Sequence, residues 1–279
     1  MQEVISVRRR VLPGLTLSLG ITLFYVGLIV ALPLGALIFK AASLGPDDYW
    51  RIVSSGRAVA SYRVTILCAA GATAFNLVFG LALAWVLVRY SFPGRRIIDA
   101  IIDLPFALPT AVAGIALTTL FAQNGWFGSW LAEAGIRVAY TPLGIMIAMA
   151  FTSLPFIVRT VQPVLEDLDP ALEEAAQSLG GSDLAIFRKV ILPLLVPALL
   201  AGVSLAFARS LGEFGAIIFI AGNQPFETEI TALLAFIRLE EYDYQAAAAI
   251  ASVMLIAAFV MLAITNLLQA RALRYTGRS

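Results

Sequence analysis

Two charged side chains lie inside an apolar stretch of the chain, where ionised groups are rare. Arg209 and Glu213 are four residues apart, so they share one face of a helix. An ionised residue at mid-membrane costs about 2.5–3.5 kcal/mol on insertion scales, so such residues usually face a polar cavity or a partner. Arg209 could present positive charge to an oxyanion, with Glu213 partly cancelling it, or the two could form a structural pair. Thr110 and Asn76 are weaker candidates for the same pathway and could equally make interhelical hydrogen bonds.

Several other kinds of chemistry are excluded by residues that the sequence lacks. There is no His and only one Cys, Cys68, so neither an intrachain disulfide nor a Cys/His zinc cluster can form. No G-x-x-x-x-G-K-[ST] loop is present, so the chain cannot bind ATP in the usual P-loop way. We therefore expect a non-enzymatic protein that binds no cofactor and takes energy from a partner.

The elements that position these residues are apolar. The chain is 60% hydrophobic and 13% charged, with a mean hydropathy of +0.90, whereas soluble domains carry about 25% charged residues. A membrane-crossing helix needs about 20 mostly apolar residues. Six stretches qualify, which predicts an all-α polytopic membrane protein: Leu15–Phe39, Val64–Val88, Ala100–Phe121, Pro142–Val158, Leu192–Ile220 and Ala246–Leu268. Bends are expected at prolines within or near these spans, namely Pro33, Pro105, Pro109 and Pro155.

The basic residues predict the orientation of the spans. Lys and Arg are about twice as frequent on the side that carries both termini as on the other side, which places both termini in the cytoplasm. The segment 1–14 is then a cytoplasmic N-terminal segment, 15–268 a single transmembrane domain, and 269–279 a cytoplasmic tail. The outer segment from Asn223 to Tyr244 is acidic, and Trp126 and Trp130 predict a short helix at the outer interface.

One cytoplasmic loop, at about 163–191, is long and carries strong local signals. Asp169 and Pro170 are typical of a helix N-cap and first helical position. The nine residues that follow are good helix formers, with an apolar face made by Leu172, Ala175, Ala176 and Leu179. Gly180 and Gly181 end this helix, and Ser182 can cap a second one. A solvated connector would not need such a face, so the loop is predicted to dock on another protein.

The loop carries a recognisable motif. The run Glu174-Ala175-Ala176, three residues, Gly180, nine residues, then Val190-Ile191-Leu192-Pro193 resembles the E-A-A-x3-G-x9-I-x-L-P loop of bacterial ABC importer permeases, with Val190 in place of the usual isoleucine. In that family the loop is a coupling helix that sits in a cleft of a cytoplasmic ATPase. The candidate coupling residues are therefore Glu173, Glu174, Ala175, Ala176, Leu179, Gly180 and Gly181.

The resemblance extends from about Tyr62 to Leu268 and is closest to the sulfate/thiosulfate ABC permease family, in particular its T subunits. It rests on the runs SFPGRR from Ser91, DLPFALPTAVAG from Asp103, NGW from Asn124, LPFIVRTVQP from Leu154 and FARSLGEFG from Phe207. It implies a MetI-like type I importer fold in the bacterial inner membrane. It also implies three partners: an ATPase dimer that binds ATP and Mg, a paralogous W-type permease subunit, and a periplasmic sulfate/thiosulfate-binding protein.

Alternatives remain at the level of the cargo and of the energy source. Molybdate and tungstate permeases share several of the same runs, including the Arg209-x3-Glu213 spacing. An ion-coupled secondary transporter would show internal repeats and acidic coupling residues in mid-span, and it would leave the docking loop unexplained. An intramembrane enzyme would need His, a reactive Ser or Cys with a base, or paired mid-span Asp, which the sequence does not offer.

Overall fold

The computed structural model describes residues 14–275, and none of these lies in a β-strand. The predicted all-α class is therefore confirmed over this part of the chain. Segments 1–13 and 276–279 lie outside the described residues, so the structure does not bear on the predicted cytoplasmic N-terminal segment before Gly14. The described helices, in chain order, are α1 (Leu15–Ala42), α2 (Pro46–Val53), α3 (Gly56–Arg89), α4 (Arg95–Ile102), α5 (Leu104–Ala107), α6 (Thr110–Phe121), α7 (Gly128–Glu133), α8 (Pro142–Glu166), α9 (Pro170–Ser178), α10 (Asp183–Leu211), α11 (Ile217–Ile220), α12 (Thr231–Glu240) and α13 (Tyr244–Tyr275).

Five of the helices within residues 14–275 are long and apolar enough to cross a membrane: α1, α3, α8, α10 and α13. They correspond to the first, second, fourth, fifth and sixth predicted spans. The second begins at Gly56 rather than Val64, and the fourth continues to Glu166 rather than ending at Val158. The short helix predicted near Trp130 is present as α7, and its position at the outer interface stays a prediction.

The third predicted span, Ala100–Phe121, is wrong as a single helix. The segment divides into the end of α4, the four residues of α5 and the twelve residues of α6. Leu108 and Pro109 between α5 and α6 are extended, with ψ of 134° and 129°. Proline disfavours helical angles in the residue before it and cannot donate a backbone hydrogen bond, so Pro109 ends one helix and begins the next. At 1.5 Å per residue, α6 spans only about 18 Å.

The fifth predicted span, Leu192–Ile220, is also wrong in its bounds. The helix α10 begins nine residues earlier, at Asp183, and ends at Leu211. Non-helical backbone follows before the single turn of α11 begins at Ile217. The break contains Gly215, whose lack of a side chain lets Thr110 of α6 approach closely.

The bundle is built around α3, α8 and α10, which pack closely because small residues lie at their contacts. A methyl group added at Gly80 of α3 would lie 2.9 Å from the Ile157 side chain of α8. One added at Gly202 of α10 would lie 2.4 Å from the Thr160 hydroxyl oxygen. Close backbone approach through small residues is the usual way in which helices associate in a membrane, where lipid tails remove the hydrophobic drive between helices.

Two apolar clusters fill the bundle at its opposite ends. One surrounds Ile145 and Ile217, and the other surrounds Leu87 and Leu195, at the end where α9 lies. The helix α1 stands at the edge of the bundle. No residue from Leu15 to Val26 is buried, and only the second half of α1 lies against α13. Apolar side chains exposed along such helices fit a lipid surrounding.

Candidate functional site

The helix α9 has both of the end structures that its sequence predicts. At the start, an Asp169 carboxylate oxygen accepts a hydrogen bond from the Ala171 amide at 2.9 Å, and Pro170 is the first helical residue. At the end, Gly180 has a φ of 80°, its amide donates to the Gln177 carbonyl, and the Gly181 amide donates to the Ala176 carbonyl. These two bonds form a Schellman motif, which satisfies carbonyls that would otherwise be unpaired. Both predicted ends are confirmed.

The apolar face of α9 is turned mostly away from the bundle. Leu172 and Leu179 are 46% and 90% exposed, and Ala175 is also exposed. Only Ala176 packs against the apolar cluster of the bundle. Large apolar side chains with this exposure, at the polar end of a bundle, are typical of a surface that another protein covers. The predicted face is thus present, with Ala176 at its inner edge.

Glu173 connects α9 to a spanning helix rather than facing outward. Its carboxylate forms an ion pair with Arg89, the last residue of α3. The Arg89 guanidinium also lies over the ring of Trp85, 5.1 Å from the ring centroid. Trp85 in turn packs edge-on against Phe187, in the π-helical turn near the start of α10, with centroids 5.4 Å apart. These contacts therefore connect α9 to two spanning helices, α3 and α10.

A second polar contact at the same end was missed by sequence reasoning. Arg159 of α8 donates to the carboxylates of Asp99 and Asp103 at 2.6–2.8 Å, to the Asp99 carbonyl and to the Gln162 side chain. It holds α4 and the start of α5 against α8 at the end of the bundle where α9 lies. The sequence does offer a signal for this contact. Arg159 lies within the LPFIVRTVQP run, and the facing segment carries two aspartates four residues apart.

Both charged candidates for the pathway lie at the break after α10, with Arg209 in the last turn of the helix and Glu213 just beyond it. The Arg209 guanidinium lies 2.6 Å from one carboxylate oxygen of Glu213, and the other oxygen accepts a hydrogen bond from the Ala216 amide at 2.9 Å. The Glu213 side chain is 1% exposed, whereas that of Arg209 is 32% exposed. The carboxylate thus pairs a cation and holds the turned backbone, while the cation remains accessible.

The helix α6 packs directly on this break. A methyl group added at Gly114 would lie 2.4 Å from the Ala216 carbonyl oxygen, and one added at Gly215 would lie 2.1 Å from the Thr110 hydroxyl oxygen. Thr110 therefore lies beside the segment that carries Glu213. The structure brings three of the four predicted pathway residues to one region, and it does so through contacts that no local pattern encodes.

Asn76 lies elsewhere, between α3 and α8. Its amide group donates to the Ala150 carbonyl and to the Ser153 hydroxyl, both at 2.9 Å, and the side chain is 1% exposed. These are the contacts of an interhelical hydrogen bond, the structural alternative that the sequence left open for this residue.

The opposite end of the bundle is fixed by another pair that sequence reasoning missed. Arg57, at the start of α3, donates twice to Glu229, at 2.8 and 2.6 Å, and Glu229 is 1% exposed. The sequence placed Arg57 in a loop because the apolar run begins later. The bidentate pair anchors the acidic segment before α12 to the bundle. Within residues 14–275 no group of three or more His, Cys, Asp or Glu could hold a metal ion.

Comparison with known proteins gives concordant results. A family profile described as "Binding-protein-dependent transport system inner membrane component" matches residues 76–274. A sulfate transport system permease protein CysT of Salmonella typhimurium is 59% identical over 263 residues, covering 94% of this chain and 95% of that protein. Those of Escherichia coli and Synechocystis are 58% and 49% identical over 94% and 91% of this chain.

Solved structures agree on the fold. A bacterial ABC transporter that imports the acidic polysaccharide alginate superimposes with a TM-score of 0.75 at 17% identity, over 92% of this chain and 95% of that one. A bacterial alginate ABC transporter in complex with an alginate pentasaccharide-bound periplasmic protein gives a TM-score of 0.76 at 18% identity. At these identities the likeness concerns the architecture alone.

Proposed function

The chain belongs to the binding-protein-dependent transport system inner membrane components and, within them, to the CysT-type permeases of ABC importers; from this premise we propose that it carries sulfate inward, driven by a separate ATPase that docks on α9. The observation that supports the coupling role most strongly is the combination found at α9. Its apolar face is exposed at Leu172 and Leu179, while its Glu173 is tied to Arg89 of a spanning helix.

Coupling in this proposal follows the contacts outward from α9. ATP and Mg bind between the two ATPase subunits, whose closure moves the cleft that holds Ala175 and Leu179. The ion pair Glu173–Arg89 then transmits the displacement to α3, and the packing of Trp85 on Phe187 transmits it to the start of α10. Gly180 and Gly181 keep α9 distinct from α10, so that α9 moves as a short rigid lever.

The cargo is proposed from the similar relatives, which are named as sulfate transport permeases. A tetrahedral dianion such as sulfate or thiosulfate needs a cation that it can reach along the pathway. Arg209 meets this need because its side chain is a third exposed while its partner Glu213 is buried. An approaching anion therefore meets the guanidinium and not the carboxylate. Because the Glu213 carboxylate partly cancels the attraction of Arg209 for the anion, the pair favours passage over tight retention.

The chain contributes one docking helix and one set of spans, whereas ABC ATPases work as a pair. We therefore propose that a second, W-type permease subunit completes the pathway and docks on the second ATPase. A periplasmic sulfate/thiosulfate-binding protein delivers the anion to the opposite end of the bundle. The basic residues near α9, including Arg188 and Lys189, support a cytoplasmic location for that end and for both termini.

The proposal is tested by uptake of labelled sulfate into liposomes that contain the complete complex, with ATP supplied on the side of the ATPase. Uptake should require ATP, persist without an ion gradient, and be reduced by excess thiosulfate more than by molybdate. Uptake driven by an ion gradient without ATP would favour a secondary transporter. Stronger competition by molybdate or tungstate would assign the permease to those oxyanions.

The role of Arg209 needs a set of variants that separates cargo handling from packing. Arg209→Gln should abolish sulfate uptake, and Arg209→Lys, which keeps the charge, should retain part of it. The double variant R209Q/E213Q removes both charges and leaves no buried carboxylate unpaired. If the double variant assembles and transports sulfate at the unmodified rate, the pair is structural and has no direct role in ion handling.

A further inference from the structure

The helix α4 has a polar side whose carboxylates are paired within the protein. Asp99 on α4 and Asp103, which follows it, accept hydrogen bonds from Arg159 of α8 at 2.6–2.8 Å. Ile102 is 4% exposed and packs into the apolar cluster at this end of the bundle. This arrangement fixes the rotation of α4 about its own axis, so the residues on its remaining side point away from α8.

Those remaining residues are large and apolar. Ile97 is 65% exposed and Ile101 is 57% exposed, and the stripe continues into α5 with Leu104 at 44%. On a helix, positions 97, 101 and 104 recur at spacings of four and three and share one side. The apolar stripe lies at the end of the bundle where α9 lies, because Ile102 of the same helix packs into the apolar cluster there and Asp99 pairs with Arg159 of α8. In the proposed orientation this is the cytoplasmic end of the spans.

Two cations begin the same helix. Arg95 and Arg96 occupy its first turn, which contains no acidic residue. Within the described chain neither forms an ion pair, because Asp99, the nearest carboxylate along the helix, is paired with Arg159. The positive end of a helix is an unfavourable place for cations. Two open grooves of about 370 and 220 Å³ adjoin these side chains, and they are lined by Ser91, Phe92, Gly94, Arg95, Arg96, Ile97, Asp99 and Gln162.

We propose that α4 binds anionic phospholipid of the cytoplasmic leaflet, with the headgroup phosphate between Arg95 and Arg96 and the acyl chains along Ile97 and Ile101. The proposal rests on the orientation given under the proposed function. An apolar stripe below two free cations matches the two chemistries of an anionic lipid, whereas a free sulfate or phosphate ion would use only the cations. Arginines at the ends of apolar helices direct their charged groups to the headgroup level.

The test places a photoreactive benzoylphenylalanine at position 101 of the full chain, in the complete complex reconstituted into phosphatidylcholine with a minor fraction of phosphatidylglycerol. Lipid adducts at this position should be enriched in phosphatidylglycerol relative to the bilayer. Enrichment should fall about fivefold for each arginine removed in R95Q and R95Q/R96Q, since each cation near the surface contributes that much to binding of anionic lipid. The charge-preserving variant R95K/R96K should retain it.

Position 256 supplies the matched control, because Ile256 is also 57% exposed but lies on α13 away from these arginines. Its adducts should follow the bulk lipid composition. The proposal is overturned if adducts at position 101 form with a protein chain, or if R95Q/R96Q leaves the enrichment unchanged. It is also overturned if sodium sulfate removes the enrichment while sodium chloride of equal ionic strength does not.

Adduct formation needs no transport, so it is independent of the cargo assignment. If R95Q/R96Q fails to assemble, the single variant R96Q and the lysine pair still decide the question. Sulfate uptake in the same vesicles separates the two proposals: normal ATP-driven uptake together with absent enrichment refutes the lipid site alone.

Discussion

The helix α9 and the break after α10 are both functional candidates, but they are held in opposite ways. The ends of α9 are formed by its own sequence, at Asp169 and Gly180, and one face of the helix is open. The break also depends on residues far apart in the chain, because Gly114 and Thr110 of α6 pack closely against Ala216 and Gly215. A surface that receives a partner can tolerate change without loss of the fold, whereas a buried polar turn cannot.

The comparison predicts that the largest effect on stability comes from Glu213→Ala. This change leaves Arg209 without its counter-charge and the Ala216 amide without its acceptor. Leaving a buried donor without its acceptor costs about 1–3 kcal/mol, and the loss of the counter-charge of the partly buried Arg209 adds to this cost. We expect the yield of assembled complex to fall sharply, measured by size-exclusion chromatography and thermal unfolding in detergent. Assembly at the unmodified level would contradict the structural role of the break.

The next effect concerns the contact between α6 and the break. Gly114→Ala adds a methyl group that would lie 2.4 Å from the Ala216 carbonyl oxygen, so two backbones must separate. Overpacking of this kind costs about 1–3 kcal/mol. Gly20→Ala in α1 is the control, because nothing lies within 4 Å of the added methyl group. Equal melting temperatures for the two variants would show that the close contact of α6 with the break does not contribute to stability.

A smaller effect is expected when the N-cap of α9 is removed. Asp169→Ala deletes the acceptor for the Ala171 amide and should destabilise α9 by about 1 kcal/mol. Because α9 is not part of the buried bundle, thermal unfolding of the complex should hardly change, while sulfate-stimulated ATPase activity should fall. Asp169→Asn, which keeps a capping oxygen, should behave as the unmodified chain. A large loss of global stability would mean that α9 belongs to the bundle.

The smallest effect on stability, and a specific one on coupling, is expected for the pair Arg89–Glu173. Both side chains are about a quarter exposed, at 26% and 23%, so their interaction contributes roughly 1 kcal/mol or less. Glu173→Gln should leave assembly intact and raise the amount of ATP hydrolysed per sulfate transported. The exchange R89E/E173R should restore part of the ratio. An unchanged ratio in Glu173→Gln would remove this pair from the path of coupling.

The two regions also differ in how far the sequence predicts them. The ends of α9 follow from Asp169, Pro170 and Gly180 by local rules, and the structure confirms each of them. The bounds of the membrane-spanning helices are harder to predict from the sequence. The predicted span Ala100–Phe121 divides because prolines interrupt a run that hydropathy treats as continuous. The predicted span Leu192–Ile220 ends early, at Leu211, and the turn that follows has the Ala216 amide bonded to the Glu213 carboxylate, a contact that hydropathy does not reveal.

Contacts between distant residues are the part that no local signal supplies. Arg57–Glu229 and Arg159–Asp99 join residues 172 and 60 positions apart. Sequence reasoning used Arg57 and Arg159 as orientation markers and Glu229 as a loop charge, and it did not single out Asp99. The same limit applies to Thr110, whose position beside the break depends on the absence of a side chain at Gly215. Charge pattern gives the sidedness of such residues, but packing decides which of them meet.

The most direct test of the central claim, that α9 docks on the ATPase, uses the single cysteine of the chain. With Cys68 replaced by Ala, Leu179→Cys introduces one thiol at a position that is 90% exposed. Its rate of labelling by a maleimide is measured on the permease pair alone and after addition of the ATPase. Labelling should slow at least tenfold in the complex, while a cysteine at Trp130, 73% exposed near the opposite end, should label equally in both. Equal labelling of position 179 with and without the ATPase would contradict the account.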